Sequence, residues 1–191
     1  FVRALVEGRP WATVPGLVAH DGAEWTRGPA NPPKAGFFSG YPFELVDLAS
    51  YVYDNPSIGR RTINFISQQG CVYKCRFCYE LNHPKLRRMN ADDLVDQVQL
   101  LVDELGIDGV KFYDADFFID QKRAVGFAQG LIDRGLRIRW AASINPNDIL
   151  RARRHHPGFL ELMARSGLSR LLMGVESGDD RMLREVVDKG V

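Results

Sequence analysis

The rhythm of apolar and polar positions changes near Arg61. From there on, short apolar runs alternate with amphipathic stretches. Thr62–Ile66 reads as a strand, and residues 91–105 set Leu94, Val95, Val98, Leu101, Val102 and Leu105 at helical spacing, with Asn90 or Asp92 as cap and Gly106 as stop. The same logic predicts a strand over 109–113, a helix over 120–134 ending at Gly135, and a strand over 136–142. The His156-Pro157 step leads into a helix over 158–165 that stops at Gly167, then a strand over 169–173 and a last helix over 179–189. Four strand-then-helix units in a row predict an α/β fold with a parallel sheet and right-handed crossovers. Sheets of this kind carry their chemistry at the carboxyl ends of the strands.

Residues 1–60 follow no such rhythm. They hold Pro10, Pro15, Pro29, Pro32, Pro33, Pro42 and Pro56, and one hairpin signal in which residues 16–20 and 24–26 flank Asp21-Gly22. The segment reads as a connector wrapping on something larger, with 61–191 as the domain proper. The chain opens at Phe1 and stops at Val191 inside an amphipathic pattern, so a fragment at both ends is expected.

Charge narrows the partners. Lys and Arg number 25 against 24 Asp and Glu, a net charge of +1, so no whole-molecule field recruits nucleic acid or an anionic membrane. No apolar run approaches the roughly 20 residues of a membrane span, and the N-terminus lacks a signal peptide's pattern. A cytoplasmic protein is expected.

Chemistry enters with the cysteines. There are 3, Cys71, Cys75 and Cys78, all in the loop after the first predicted strand. An odd number argues against a disulfide framework, and the clustering reads as a ligand set. Structural zinc wants four protein ligands; with no fourth cysteine, His83 is the candidate completing such a site. The other occupant is an iron-sulfur cube. Four cysteines close all its irons, whereas three leave one iron free to bind a small molecule, which suits catalysis. The loops after the other strands carry Asp114 and Asp116, Ser143 and Asn145, and Glu176-Ser177-Gly178.

Cys71-x3-Cys75-x2-Cys78, with Phe77 before the last cysteine, placed after the first strand of a strand-helix repeat, resembles the signature of the radical S-adenosylmethionine (radical SAM) superfamily. The resemblance covers about residues 61–191. It implies the first part of a (βα)6 partial TIM barrel, a [4Fe-4S] cluster held by the three cysteines, and SAM chelated to the open iron. It also implies an external one-electron reductant and a small-molecule or peptide substrate. Carried over by residue, Phe77 and Tyr79 line the adenine or cluster side, Asp114 and Asp116 the amino group or ribose, and Ser143 and Glu176 the polar groups of SAM. Gly174-Val-Glu176-Ser-Gly178 resembles a segment of the branch whose members carry an N-terminal cobalamin-binding domain, and residues 12–22 resemble the tail of that module. The implied enzyme is a cobalamin-dependent methyltransferase or a relative, its vitamin bound by a domain upstream. The competing class is an electron-transfer or zinc module without SAM chemistry.

Plainer roles compete for each residue. Asp114 and Asp116 can be solvated or cap the next helix, and Glu176 precedes a helix start where carboxylates are stabilised without a ligand. Arg151, Arg153, Arg154, His155 and His156 read as a solvated basic loop, and Met163, Met173 and Met182 as core fillers.

Overall fold

A computed structural model describes residues 2–30, 41, 43–79 and 86–189. Two compact units divide the chain, 1–36 and 37–191. In the smaller, helix α1 (Val2–Val6) precedes a hairpin of β1 (Val18–His20) and β2 (Trp25–Arg27). Its turn is where Asp21-Gly22 predicts it. Asp21 accepts from the amides of Ala23 and Glu24 at 2.9 Å each, and Gly22 takes φ +102°.

The larger unit is built on a five-stranded sheet. β3 (Tyr53–Asn55) and β4 (Gly59–Phe65) form an antiparallel pair, and β4 then pairs in parallel with β7 (Gly109–Phe112). A small antiparallel pair, β5 (Gln68–Gln69) with β6 (Arg87–Arg88), lies apart from that sheet. β8 (Arg139–Ile144) and β9 (Leu168–Met173) extend it in parallel, giving the order β3-β4-β7-β8-β9. Each parallel strand lies beside its predecessor. Repeated right-handed crossovers to an adjacent strand put every helix on one face, which is how a sheet begins to curl into a barrel.

Helices α2 (Ala91–Leu105), α3 (Gln121–Asp133), α4 (Pro146–His155) and α5 (Phe159–Arg165) make the crossovers. Asn90 caps α2, its side chain accepting from the Asp93 amide at 2.8 Å, and Asp120 caps α3 through the Arg123 amide at 3.1 Å. Gly130 of α3 faces Val95 of α2 at 2.8 Å from where a β-carbon would stand, so any larger residue would push the two helices apart. Between helices and sheet, Phe112, Phe117, Phe118, Phe127 and Trp140 pack ring against ring with centroids 4.8–6.1 Å apart. All five are fully buried, and the Trp140 indole donates to the Ser166 carbonyl at 3.1 Å.

Several expectations need correction. Sheet pairing begins at Tyr53, inside the segment read as a connector, because the turn at 56–58 folds β3 back on β4. The third parallel strand lies at 139–144 rather than 136–142, so Ser143 is a strand residue. The basic run at 151–155 is not a loop but the end of α4, where cations oppose the helix dipole favourably. The last helix contracts to π-helical turns over Met182–Val187. Met163 is core, whereas Met173 and Met182 are 40% and 38% exposed.

Candidate functional site

Beyond β4 the chain makes a closed excursion. β5 pairs with β6, and the Met89 amide donates to the Ser67 carbonyl at 3.0 Å, so both ends of the cysteine segment are drawn together at the carboxyl end of β4. Within it, burial alternates. Cys71, Tyr73 and Cys75 are half-buried, while Val72 and Lys74 face outward. A turn with the Cys78 amide on the Cys75 carbonyl (3.0 Å) brings the third cysteine back to half-burial. Phe77 is 61% exposed and Tyr79 75%, so the two predicted aromatic residues lie on the outer side of this loop.

All three thiols are free. Burial pushes Cys71 and Cys75 above the usual thiol range, and Lys189 opposes that rise at Cys75. Among the described residues, no three Cys, His, Asp or Glu side chains are gathered as a single ion would need. Zinc–thiolate bonds of about 2.3 Å would draw sulfurs to roughly 4 Å of one another. A cube takes its ligands at separate corners, and three soft, half-buried donors on one loop fit that demand. His83 lies outside the described residues.

Asp114, after β7, is buried and engaged with the chain itself. Its Oδ1 accepts from the Ser67 and Gln68 amides at 2.7 and 3.0 Å, and its Oδ2 from the Ser67 hydroxyl at 2.5 Å. Arg123 stands 3.7 Å away, also bonding the Ser67 hydroxyl and, at 2.8 Å, the Met89 carbonyl. Burial raises the Asp114 carboxyl above the usual range, against the pull of these donors and of Arg123. Asp114 therefore locks the start of the cysteine excursion onto β7.

Asp116 is equally buried. It accepts from the Phe118 amide at 2.9 Å and the Asn145 amide at 3.0 Å, and it hydrogen-bonds the Asp148 side chain. Burial first, and then Asp148, pushes its carboxyl up to about 8. Asp148, fully buried in the first turn of α4, accepts from the Tyr73 hydroxyl at 2.8 Å and from the Arg151 guanidinium. Sequence reasoning missed Tyr73 and Asp148. The available signals were Asn145-Pro146 as a helix start, with Asp148 in its first turn, and an in-phase Tyr between two cysteines.

Ser143 is half-buried near the end of β8, opposite Leu172 of β9, and its carbonyl accepts from the Phe117 amide at 3.1 Å. Glu176, beyond β9, takes φ +62°, and its Oε1 accepts from the Lys189 ammonium at 2.8 Å; that ammonium also bonds the Gly174 carbonyl. A β-carbon at residue 174 would meet the tips of both side chains, so a larger residue would shift this pair from its present place. The same C-terminal segment touches the cysteine loop. The Arg76 amide donates to the Val187 carbonyl at 2.9 Å, and its guanidinium to the Glu185 carbonyl at 2.8 Å.

The three cysteines, Asp114, Asp116, Ser143 and Glu176 thus belong to the carboxyl-end loops and strand ends of the parallel sheet. A cavity of about 520 Å³ lies at the other end, lined by Arg60, Arg137 and Arg139 among others, and away from the cysteines.

The family model for the radical SAM superfamily matches residues 65–190. The cytidylyl-2-hydroxyethylphosphonate methyltransferase of Streptomyces wedmorensis is 32% identical over 140 residues, 72% of this chain and 25% of that protein. Among solved structures, the cobalamin-dependent SAM radical enzyme OxsB, with aqua-cobalamin and SAM bound, aligns with a TM-score of 0.66 at 16% identity, over 100% of this chain and 28% of that one. The radical SAM methyltransferase TsrM of Kitasatospora setae, with cobalamin and a [4Fe-4S] cluster bound, aligns with a TM-score of 0.64 at 18% identity, over 95% and 36%. The chain thus spans about a quarter to a third of the length of the proteins it matches. With the match beginning at the end of β4 and taking in the cysteine loop and every later parallel strand, this chain belongs to the radical SAM superfamily.

Proposed function

We propose that this chain is the cluster- and SAM-binding part of a cobalamin-dependent radical SAM methyltransferase. The observation that carries the reading is the loop of three free, half-buried cysteines at the carboxyl end of the first parallel strand, in a chain without a fourth cysteine. Cys71, Cys75 and Cys78 would hold three corners of a [4Fe-4S] cluster. A cluster held there would supply one-electron reductive cleavage of SAM, fed by an external reductant, with the three cysteines leaving its fourth corner for that cofactor.

The surrounding residues divide this work. Glu176 already holds an ammonium group, that of Lys189, so its carboxylate suits the amino group of SAM. Ser143 places a hydroxyl near the end of β8. Asp114 and Asp116, bonded to backbone amides, set the loops rather than meet the ligand. Exposed Val175, just beyond β9, offers an apolar side chain at this rim against which an adenine or a substrate can lie. Cobalamin, which is bound in the OxsB and TsrM structures, would be bound by a domain outside this chain and carry the methyl group to a small-molecule or peptide substrate.

Anaerobic reconstitution with iron and sulfide, followed by a chemical reductant and SAM, tests the reading. About four irons and four sulfides per chain and release of 5'-deoxyadenosine are expected, with the cluster lost in Cys75→Ala. One tightly held zinc with no iron, or a fully loaded cluster in Cys75→Ala, would overturn it.

A further inference from the structure

The cysteines alone do not fix their loop. We propose that Tyr73 and Asp148 are positioning residues whose hydrogen bond anchors the cluster loop to α4 and so orients Cys71 and Cys75. The proposal rests on the reading of that loop as the cluster site, and it adds a pair of residues 75 positions apart that no ligand assignment uses.

The geometry is specific. Tyr73 stands midway between Cys71 and Cys75, and the three share half-burial while Val72 and Lys74 between them are exposed. Whatever fixes the ring of Tyr73 therefore fixes the direction of both neighbouring thiols. Its hydroxyl donates to Asp148 Oδ2 at 2.8 Å.

Asp148 is itself held from several sides. It has no exposed surface, its amide donates to the Asn145 carbonyl at 2.9 Å, Arg151 holds its other oxygen, and Asp116 bonds it from the loop after β7. Asp116 is tied in turn to the Asn145 and Phe118 amides. The loop is thus referred, through one phenol and two carboxyls, to the ends of β7 and β8. Arg76, which also ties the loop through the Val187 and Glu185 carbonyls, is exposed and competes with water, so the half-buried tyrosine contact onto a fully buried carboxylate constrains the loop more.

Tyr73→Phe removes only the hydroxyl. In the metal-free chain, alkylation of each cysteine by iodoacetamide is followed by mass spectrometry, with Cys78 as internal reference. Tyr73→Phe is expected to speed modification of Cys71 and Cys75 about fivefold relative to Cys78, the weight of one net hydrogen bond, with circular dichroism unchanged. Asp148→Asn, which weakens the acceptor of the Tyr73 hydroxyl together with the Arg151 and Asp116 contacts, should act in the same direction, and the double variant should exceed it by little, because Tyr73→Phe then removes a contact already weakened. In reconstituted protein, the electron paramagnetic resonance line of the reduced cluster should broaden in Tyr73→Phe.

Unchanged ratios of thiol reactivity in Tyr73→Phe, or additive effects in the double variant, would overturn the proposal. If Asp148→Asn fails to fold, Tyr73→Phe decides alone. Because the thiol readout needs no iron, a chain that takes up no cluster yet shows altered Cys71 and Cys75 reactivity refutes the cluster reading and leaves the anchor standing.

Discussion

Asp116 shows how far a residue's type falls short of its role. Its carboxyl, raised to about 8 by burial and by Asp148, keeps its proton across a range where the unfolded chain has already lost it near the ordinary value of 3.8. The folded state then binds more protons than the unfolded one between about pH 4 and 8, so this contribution to stability falls as pH rises through that window. Melting curves of the metal-free chain are expected to show a higher midpoint at pH 5 than at pH 8.5, and Asp116→Asn should flatten the difference. Asp114 makes a second test. Asp114→Ala orphans the Ser67 and Gln68 amides and leaves Arg123 buried without its partner, so urea unfolding should show a loss of about 3 kcal/mol or more. Both aspartates are legible in the sequence as polar groups in carboxyl-end loops. Whether such a carboxylate turns to a ligand or to backbone amides depends on the neighbouring strand's loop, which local sequence does not contain.

At the scale of elements, strength of pattern decided what could be read. α2 and α3 carry full apolar stripes with a polar cap and are found within a residue of their predicted limits. α4 is mostly polar and buries only Asp148 and Ala152, so few apolar positions mark it, and the capping pair Asn145-Pro146 is its clearest sign. β3 is three residues long, too short for alternation to register. Two caps were possible for α2, and the structure selects Asn90. Asn90→Ala should therefore lower stability by about 1 kcal/mol in urea unfolding, and Asp92→Ala by clearly less.

For the whole molecule, the buried hydrophobic cluster draws all its members from residues 63–163, within the unit that spans 37–191. A chain starting at Phe37 should keep a cooperative thermal transition and the helical circular dichroism of the parent. That unit also carries the complete cysteine loop, Asp114, Asp116, Ser143 and Glu176. The fold class was legible because four strand-helix units repeat in order. Sequence could not show how the cysteine excursion is pinned, since β5–β6, Ser67–Asp114 and Tyr73–Asp148 are all contacts between distant segments.

We propose that Cys71, Cys75 and Cys78 grip a cube with one corner open to SAM. Electron paramagnetic resonance of the reduced, reconstituted chain before and after addition of SAM tests it most directly. A four-iron signal whose shape shifts when SAM is added is expected; a signal identical with and without SAM would rule out the open corner.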